Sequence, residues 1–146
     1  MEQIKWPFLK QTWGIEFESS KGAYLYTKDG RKILDAAGGA IVNNIGYGRE
    51  EVAEAISKAV INNSYILPPF LTPEREALLD ELRNHWLPPH LTRIHLSSGG
   101  SEANESAVKL AIQYQASRGK PEKNIILTRS LSYHGTTLNM SGISGH

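Results

Sequence analysis

The amino-acid sequence predicts an α/β fold, and three observations carry that expectation. In the last third, the apolar run RIHLS (Arg93–Ser97) leads into a glycine-serine loop and a long segment of helical spacing. A second apolar run, NIILT (Asn124–Thr128), follows. Strand, helix and strand in that order predict a right-handed crossover unit. Upstream, two segments repeat apolar residues at the spacing of a helix face. Before them, two β-rich runs flank Asp29-Gly30, a strong hairpin signal.

The hairpin lies in GAYLYTKDGRKILDA (Gly22–Ala36) and is expected to belong to a small antiparallel meander. AAGGAIVNNIGYG (Ala36–Gly48) then gathers glycine and asparagine around a short apolar run, a composition that favours turns and close backbone approach. From Arg49 to about Asn62, the residues Val52, Ala55, Ile56, Ala59 and Val60 mark one face of a helix. The prolines of ILPPFLTP interrupt it. Thr72 suits the N-cap of a second helix and Pro73 its first turn. Leu78, Leu79, Leu82 and Trp86 continue that helix until Pro88-Pro89 stops it. In the third helix, Ala103, Ala107, Leu110, Ala111 and Tyr114 form the apolar stripe. Glu105 and Lys109 are expected to pair on its exposed side. Arg118-Gly119 and Pro121 close it in the usual order.

Length and composition bound the function. A chain of 146 residues suits a domain with a real core, and 16 basic against 15 acidic residues leave a net charge of +1. That balance favours neither nucleic acid nor an anionic membrane as partner. With no cysteine, disulfides and thiolate metal sites are excluded, and no metal site is expected. No apolar stretch reaches the roughly 18 residues that span a bilayer, and the start lacks a targeting pattern. A cytoplasmic protein is the expectation.

In a crossover unit, the loop after each strand opens on the carboxyl rim of the sheet, where ligands of open α/β sheets bind. The first such loop, Ser97–Ser101, runs straight into a helix. Free N–H groups and the helix dipole favour an anion there. Gly99 and Gly100 allow close backbone approach, and Ser101 has a hydroxyl to offer a phosphate. On this loop alone a second reading stands beside the first: Ser101 is only an N-cap and the glycines only turn the chain. The second rim loop adds Tyr133 as a flat stacking face, His134 as a second ring with hydrogen-bonding nitrogens, and Gly135 as a turn. A phosphate grip and a stacking platform on one rim point to a small phosphorylated aromatic cofactor. Pyridoxal phosphate has that shape and acts as an electron sink in amine chemistry.

GGSEANESAVKLA and IILTRSLSYHGTT, with GKPEKN between them, resemble the class III pyridoxal-phosphate-dependent aminotransferases. GAYLYTKDGRKILDAAGGAIVNNIGYGREEVAEAI resembles the same family's N-terminal meander and first helix. The resemblance implies the N-terminal part of a type I PLP-dependent transferase fold, incomplete here. Residues 1–48 would be the meander, 49–92 a helical connection, and 93–146 the beginning of the large, mainly parallel cofactor-binding domain. Gly100 and Ser101 would bind the cofactor phosphate with Gly99 shaping the loop. Tyr133 would stack on the pyridine ring beside His134.

The resemblance further implies transfer of an amino group from an amine or ω-amino acid to a keto acid such as pyruvate. It also implies a homodimer with its sites at the subunit interface, served in part by Ile66–Thr72, and a substrate pocket near Val42 and Asn43. Ala40-Ile41 stands where relatives of the ω branch often carry a bulky aromatic, and Tyr47 replaces a common histidine. The family's cofactor-bearing lysine and the acidic partner of the pyridine nitrogen match nothing in this sequence, so no catalytic residue is assigned. The chain alone is expected to be inactive and at best marginally folded. The resemblance places later strands between RIHLS and NIILT, which would leave both with open edges. Two rivals are weighed against this reading. One is a truncated product that only binds or assembles. The other is a serine hydrolase using Ser101 in Gly99-Gly100-Ser101-Glu102-Ala103, against which Asp29, Asp35 and Asp80 all precede the serine, the wrong order for that fold.

Overall fold

The computed structural model describes residues 14–145, which fall into two compact units divided between Glu76 and Ala77.

In the first unit, β1 (Phe17–Lys21), β2 (Tyr24–Thr27) and β3 (Lys32–Leu34) form an antiparallel sheet in the order β1-β2-β3. This is the expected meander, completed by β1, whose polar sequence FESSK carried no apolar alternation to announce it. Tyr24 faces Leu34 and Leu25 faces Ile33 across β2 and β3. The connecting turn takes four residues, Lys28 to Arg31, with the Gly30 N–H donating to the Thr27 carbonyl at 3.0 Å. Gly30 sits at φ +84, a left-handed position that closes such loops. Arg31 Nε donates to both carboxylate oxygens of Asp29, at 2.9 and 3.1 Å. With the Thr27 hydroxyl it holds the Asp29 carboxyl down to about 2. Gly22 bridges Tyr47 by a reciprocal pair of backbone bonds of 2.8 and 2.9 Å. A Cβ on Gly46 would lie 3.1 Å from the Gly22 carbonyl, so the close approach needs glycine there.

The glycine-rich stretch folds into α1 (Gly38–Ile41), a single turn of left-handed helix. Gly38, Gly39, Ala40 and Ile41 have φ of +56, +57, +63 and +69. The conformation costs an L-residue about 1–2 kcal/mol, so Ala40 and Ile41 need an external hold. Asp35 supplies it, accepting the N–H groups of Ala37 and Gly39 at 3.1 and 2.8 Å and the Tyr47 hydroxyl at 2.7 Å. Tyr47 thus has a defined task. These bonds, the Tyr47 hydroxyl first, lower the Asp35 pKa from its ordinary 3.8. A carboxylate depressed by folding stabilises fully above its unfolded value, and loses that contribution as pH falls through the lower folded one. The protection of the Gly39 amide, its exchange rate taken relative to the intrinsic rate at each pH, is therefore expected to fall selectively on acidification from pH 5 to pH 3, and at pH 5 in Asp35→Ala. An amide indifferent to both changes would show that Asp35 does not hold the turn.

Helix α2 (Glu50–Asn63) opens with Glu50 and Glu51 at its positive end. Val52, Ile56 and Val60 keep their stripe exposed. Helix α3 (Pro73–Glu81) begins as the sequence indicates, with the Arg75 N–H donating to Thr72 Oγ1 at 3.3 Å. It does not run as a plain α-helix to the prolines. Leu82–Trp86 widens into a π-turn in which the Leu87 N–H reaches the Leu82 carbonyl at 2.9 Å. Leu87 then turns extended, φ −99 and ψ 145, as a residue before proline prefers.

The second unit is organised by α4 (Gly100–Ser117) and α5 (Leu138–Ile143), which pack against each other. Helix α4 ends where expected, at Gly119 with φ +74. The two predicted strands do not form. Among the described residues, neither 93–97 nor 124–128 joins a sheet, and so no crossover unit closes. A strand exists only through a partner, and the two runs do not partner each other. This agrees with the resemblance, which puts other strands between them. Ile125 and Leu127 are 80% and 92% exposed. Met140 and Ser144 are the fully buried side chains of this unit.

Candidate functional site

The first turn of α4 builds one wall of the site. Gly99 is the N-cap in an extended conformation, and no side chain caps it. The first helical bond runs from the Ala103 N–H to the Gly99 carbonyl at 3.0 Å. The N–H groups of Gly100, Ser101 and Glu102 therefore have no partner among the described residues and point out along the helix axis. Ser101 is not the N-cap that one reading of the sequence made it. It sits inside the helix, and its Oγ accepts the Thr136 N–H at 3.0 Å. A hydroxyl that accepts there keeps its own hydrogen to donate. A Cβ on Gly100 would meet nothing within 4 Å, so the space before the turn is open. One negative charge is already present: the Glu102 carboxylate, which takes the Ser98 hydroxyl.

The second wall is Ser132–Thr137. Three bonds fasten it around His134. The His134 N–H donates to Ser144 Oγ at 2.9 Å, and Asn104 Nδ2 donates to the His134 carbonyl at 2.8 Å. His134 Nε2 lies 3.0 Å from Thr128 Oγ1. Gly135, at φ +135, lies so close to α4 that a Cβ would fall 2.3 Å from Ser101 Oγ. The Tyr133 ring is 73% exposed. The structure thus brings the loop carrying Tyr133, His134 and Gly135 onto the helix start carrying Gly99, Gly100 and Ser101.

Other parts of the site were not legible. The Glu105–Lys109 pair expected on the exposed side of the helix does not form among the described residues. Glu105 instead accepts Thr137 Oγ1 at 2.7 Å and Asn139 Nδ2 at 3.1 Å. These bonds, the Thr137 one first, hold its carboxyl below the usual range. The polar partners lie more than thirty residues away, beyond any local signal. The hydrolase rival finds no support. Among the described residues, no imidazole or carboxylate hydrogen-bonds Ser101 Oγ, and the His134 ring is engaged by Thr128.

Two further features belong to the first unit. A pocket lined by Asp35, Gly38, Ile41, Asn43 and Tyr47 lies over the left-handed turn. Asn43 Nδ2 is buried there with no partner of normal hydrogen-bond geometry among the described residues. The Arg75 guanidinium holds the proline-rich segment, donating to the carbonyls of Ile66, Leu67 and Pro68 at 3.1, 3.2 and 3.3 Å, and to that of Phe70. Among the described residues, no helix is long and apolar enough to cross a membrane, and no cluster of His, Asp and Glu could hold a metal.

Comparison with known proteins identifies the family. The family model described as aminotransferase class-III matches residues 10–146. A probable aminotransferase of Mycobacterium tuberculosis is 38% identical over 125 residues, covering 85% of this chain and 27% of its own length. An amine transaminase from an uncultivated Pseudomonas species, solved in its PLP-bound form, is 26% identical with a TM-score of 0.86. The match covers all of this chain (100%) and 34% of that one. An (S)-enantioselective omega-transaminase from Thermomicrobium roseum is 29% identical with a TM-score of 0.83, covering 90% of this chain and 30% of that one. The chain therefore spans about a third or less of the proteins it matches.

Proposed function

The chain belongs to the class-III aminotransferase family, and from that premise we propose that it forms the phosphate-cradling region of an aminotransferase that binds pyridoxal 5'-phosphate. The observation that carries this reading is the Thr136 N–H bond to Ser101 Oγ at 3.0 Å. It sets an anion-binding helix start and an exposed aromatic ring in one small region. The donor set fits a phosphate: the amides of Gly100, Ser101 and Glu102, with the Ser101 hydroxyl free to donate. Ser98 holds the competing Glu102 carboxylate.

When bound, pyridoxal phosphate supplies an electron sink for amine chemistry. The chain's own residues bind and orient. Gly99 and Gly100 leave the backbone accessible. Ser101 donates to a phosphate oxygen while fixed from behind by Thr136. Tyr133 offers its ring face to the pyridine. His134, held by Thr128, stands beside it. No residue of this chain is assigned the covalent role.

The amino donor is proposed to be an amine or ω-amino acid and the acceptor a keto acid such as pyruvate. The similarity to an amine transaminase and to an omega-transaminase supports this choice. The pocket over the left-handed turn, with the buried Asn43 amide in its wall, is the part of this chain proposed to meet the substrate. The Arg75-fastened segment 66–70 is proposed to serve the partner subunit of a homodimer.

Ser101→Ala removes the donor to phosphate and the acceptor for Thr136 together. It is expected to weaken pyridoxal phosphate binding about tenfold or more, read as the shift of cofactor absorbance on titration. Equal affinity of the variant and the parent would remove Ser101 from the cradle.

A further inference from the structure

We propose that Glu105 is a positioning residue that latches the Tyr133–Thr137 loop onto the first turns of α4 and so sets the shape of the cradle, an inference that rests on the cofactor reading above. Both carboxylate oxygens are spent on one short stretch, Oε1 on Thr137 Oγ1 and Oε2 on Asn139 Nδ2. That stretch begins α5. Helix α5 carries the buried Met140 and leads to the buried Ser144, whose hydroxyl accepts the His134 N–H at 2.9 Å. The contacts therefore close a ring: from Glu105 into α5, through Ser144 to His134, and back to α4 through Asn104 and Ser101. Without Glu105 the loop is tied to α4 on one side only. The next charged side chain on the same helical face, Lys109, forms no ion pair with it among the described residues, so the carboxylate has no competing task.

The test is amide hydrogen exchange together with pyridoxal phosphate binding, measured on purified protein carrying this sequence. Glu105→Ala is expected to speed exchange at the Thr136 and His134 amides about tenfold or more. The hairpin amides of Thr27 and Lys28 should keep their rates. Cofactor affinity is expected to fall about fivefold. Glu105→Gln keeps an acceptor for Thr137 and should restore most of the protection. Adding Thr137→Val to Glu105→Ala should cost less than it does alone, because that bond is already gone. If Glu105→Ala disturbs α4 itself, Thr137→Val alone, which leaves α4 intact, must speed the same two amides. Unchanged exchange at Thr136 and His134 in these variants overturns the latch. So does faster exchange with unaltered cofactor affinity. A parent protein that does not bind pyridoxal phosphate overturns the cofactor reading instead, and exchange alone then decides the latch.

Discussion

Gly135→Ala is expected to abolish cofactor binding while leaving the hairpin unit unchanged. Gly135 has φ +135, and an added Cβ would fall 2.3 Å from Ser101 Oγ, 2.8 Å from its Cβ and 2.9 Å from its Cα. The last of these is backbone within the first turn of α4, so a rotamer change cannot relieve the contact. Either the loop or the helix start must move. Overpacking and an unfavourable φ each cost about 1–3 kcal/mol, and together they exceed the net worth of the Thr136 bond to Ser101. Retreat of the loop would carry Tyr133 and His134 away from Gly100 and Ser101. Titration with pyridoxal phosphate should show a loss of about a hundredfold or more, with Thr27 and Lys28 exchange unaltered. Binding within a factor of two of the parent would mean that the close approach of the two walls has no part in holding the cofactor.

A circular-dichroism melt of the 146-residue polypeptide alone is expected to be broad and weakly cooperative. Sharp two-state melting requires a core whose loss is felt everywhere. Among the described residues, Met140 is the one fully buried large apolar side chain, while Leu96, Ile125, Leu127, Ile56, Val60 and Trp86 face solvent. The segments 93–97 and 124–128 have strand composition and no ladder. Their unsatisfied edges and apolar faces invite association, so loss of signal should depend on concentration. A single sharp transition from a monomer would contradict this expectation.

The elements most legible in the sequence were those whose cause is local. Asp29-Gly30 needs only its own turn geometry, and the hairpin formed there. Thr72-Pro73 needs only the free amides of a helix start, and α3 begins on them. Gly119 needs only its positive φ. Local chemistry reached its limit at RIHLS and NIILT. Their composition fits strands, but pairing is a property of two segments, and composition says nothing about which partner is present. The π-turn at Leu82–Trp86 was hidden for a related reason, since the same apolar spacing serves an α-helix and a slightly wider turn.

The sequence by itself determined the family, the helix start that offers amides to an anion, and the two ring-bearing positions proposed to lie against it. These follow from residue type and spacing along one stretch of apolar run, loop and helix, and along the loop after the next apolar run. Only the tertiary structure decided that Ser101 accepts from Thr136 instead of capping α4, that Glu105 turns from Lys109 to Thr137 and Asn139, and that Asp35 holds a left-handed turn through Tyr47. Each joins groups far apart in the chain, where hydrogen-bond donors find acceptors only after the backbone has brought them within about 3 Å.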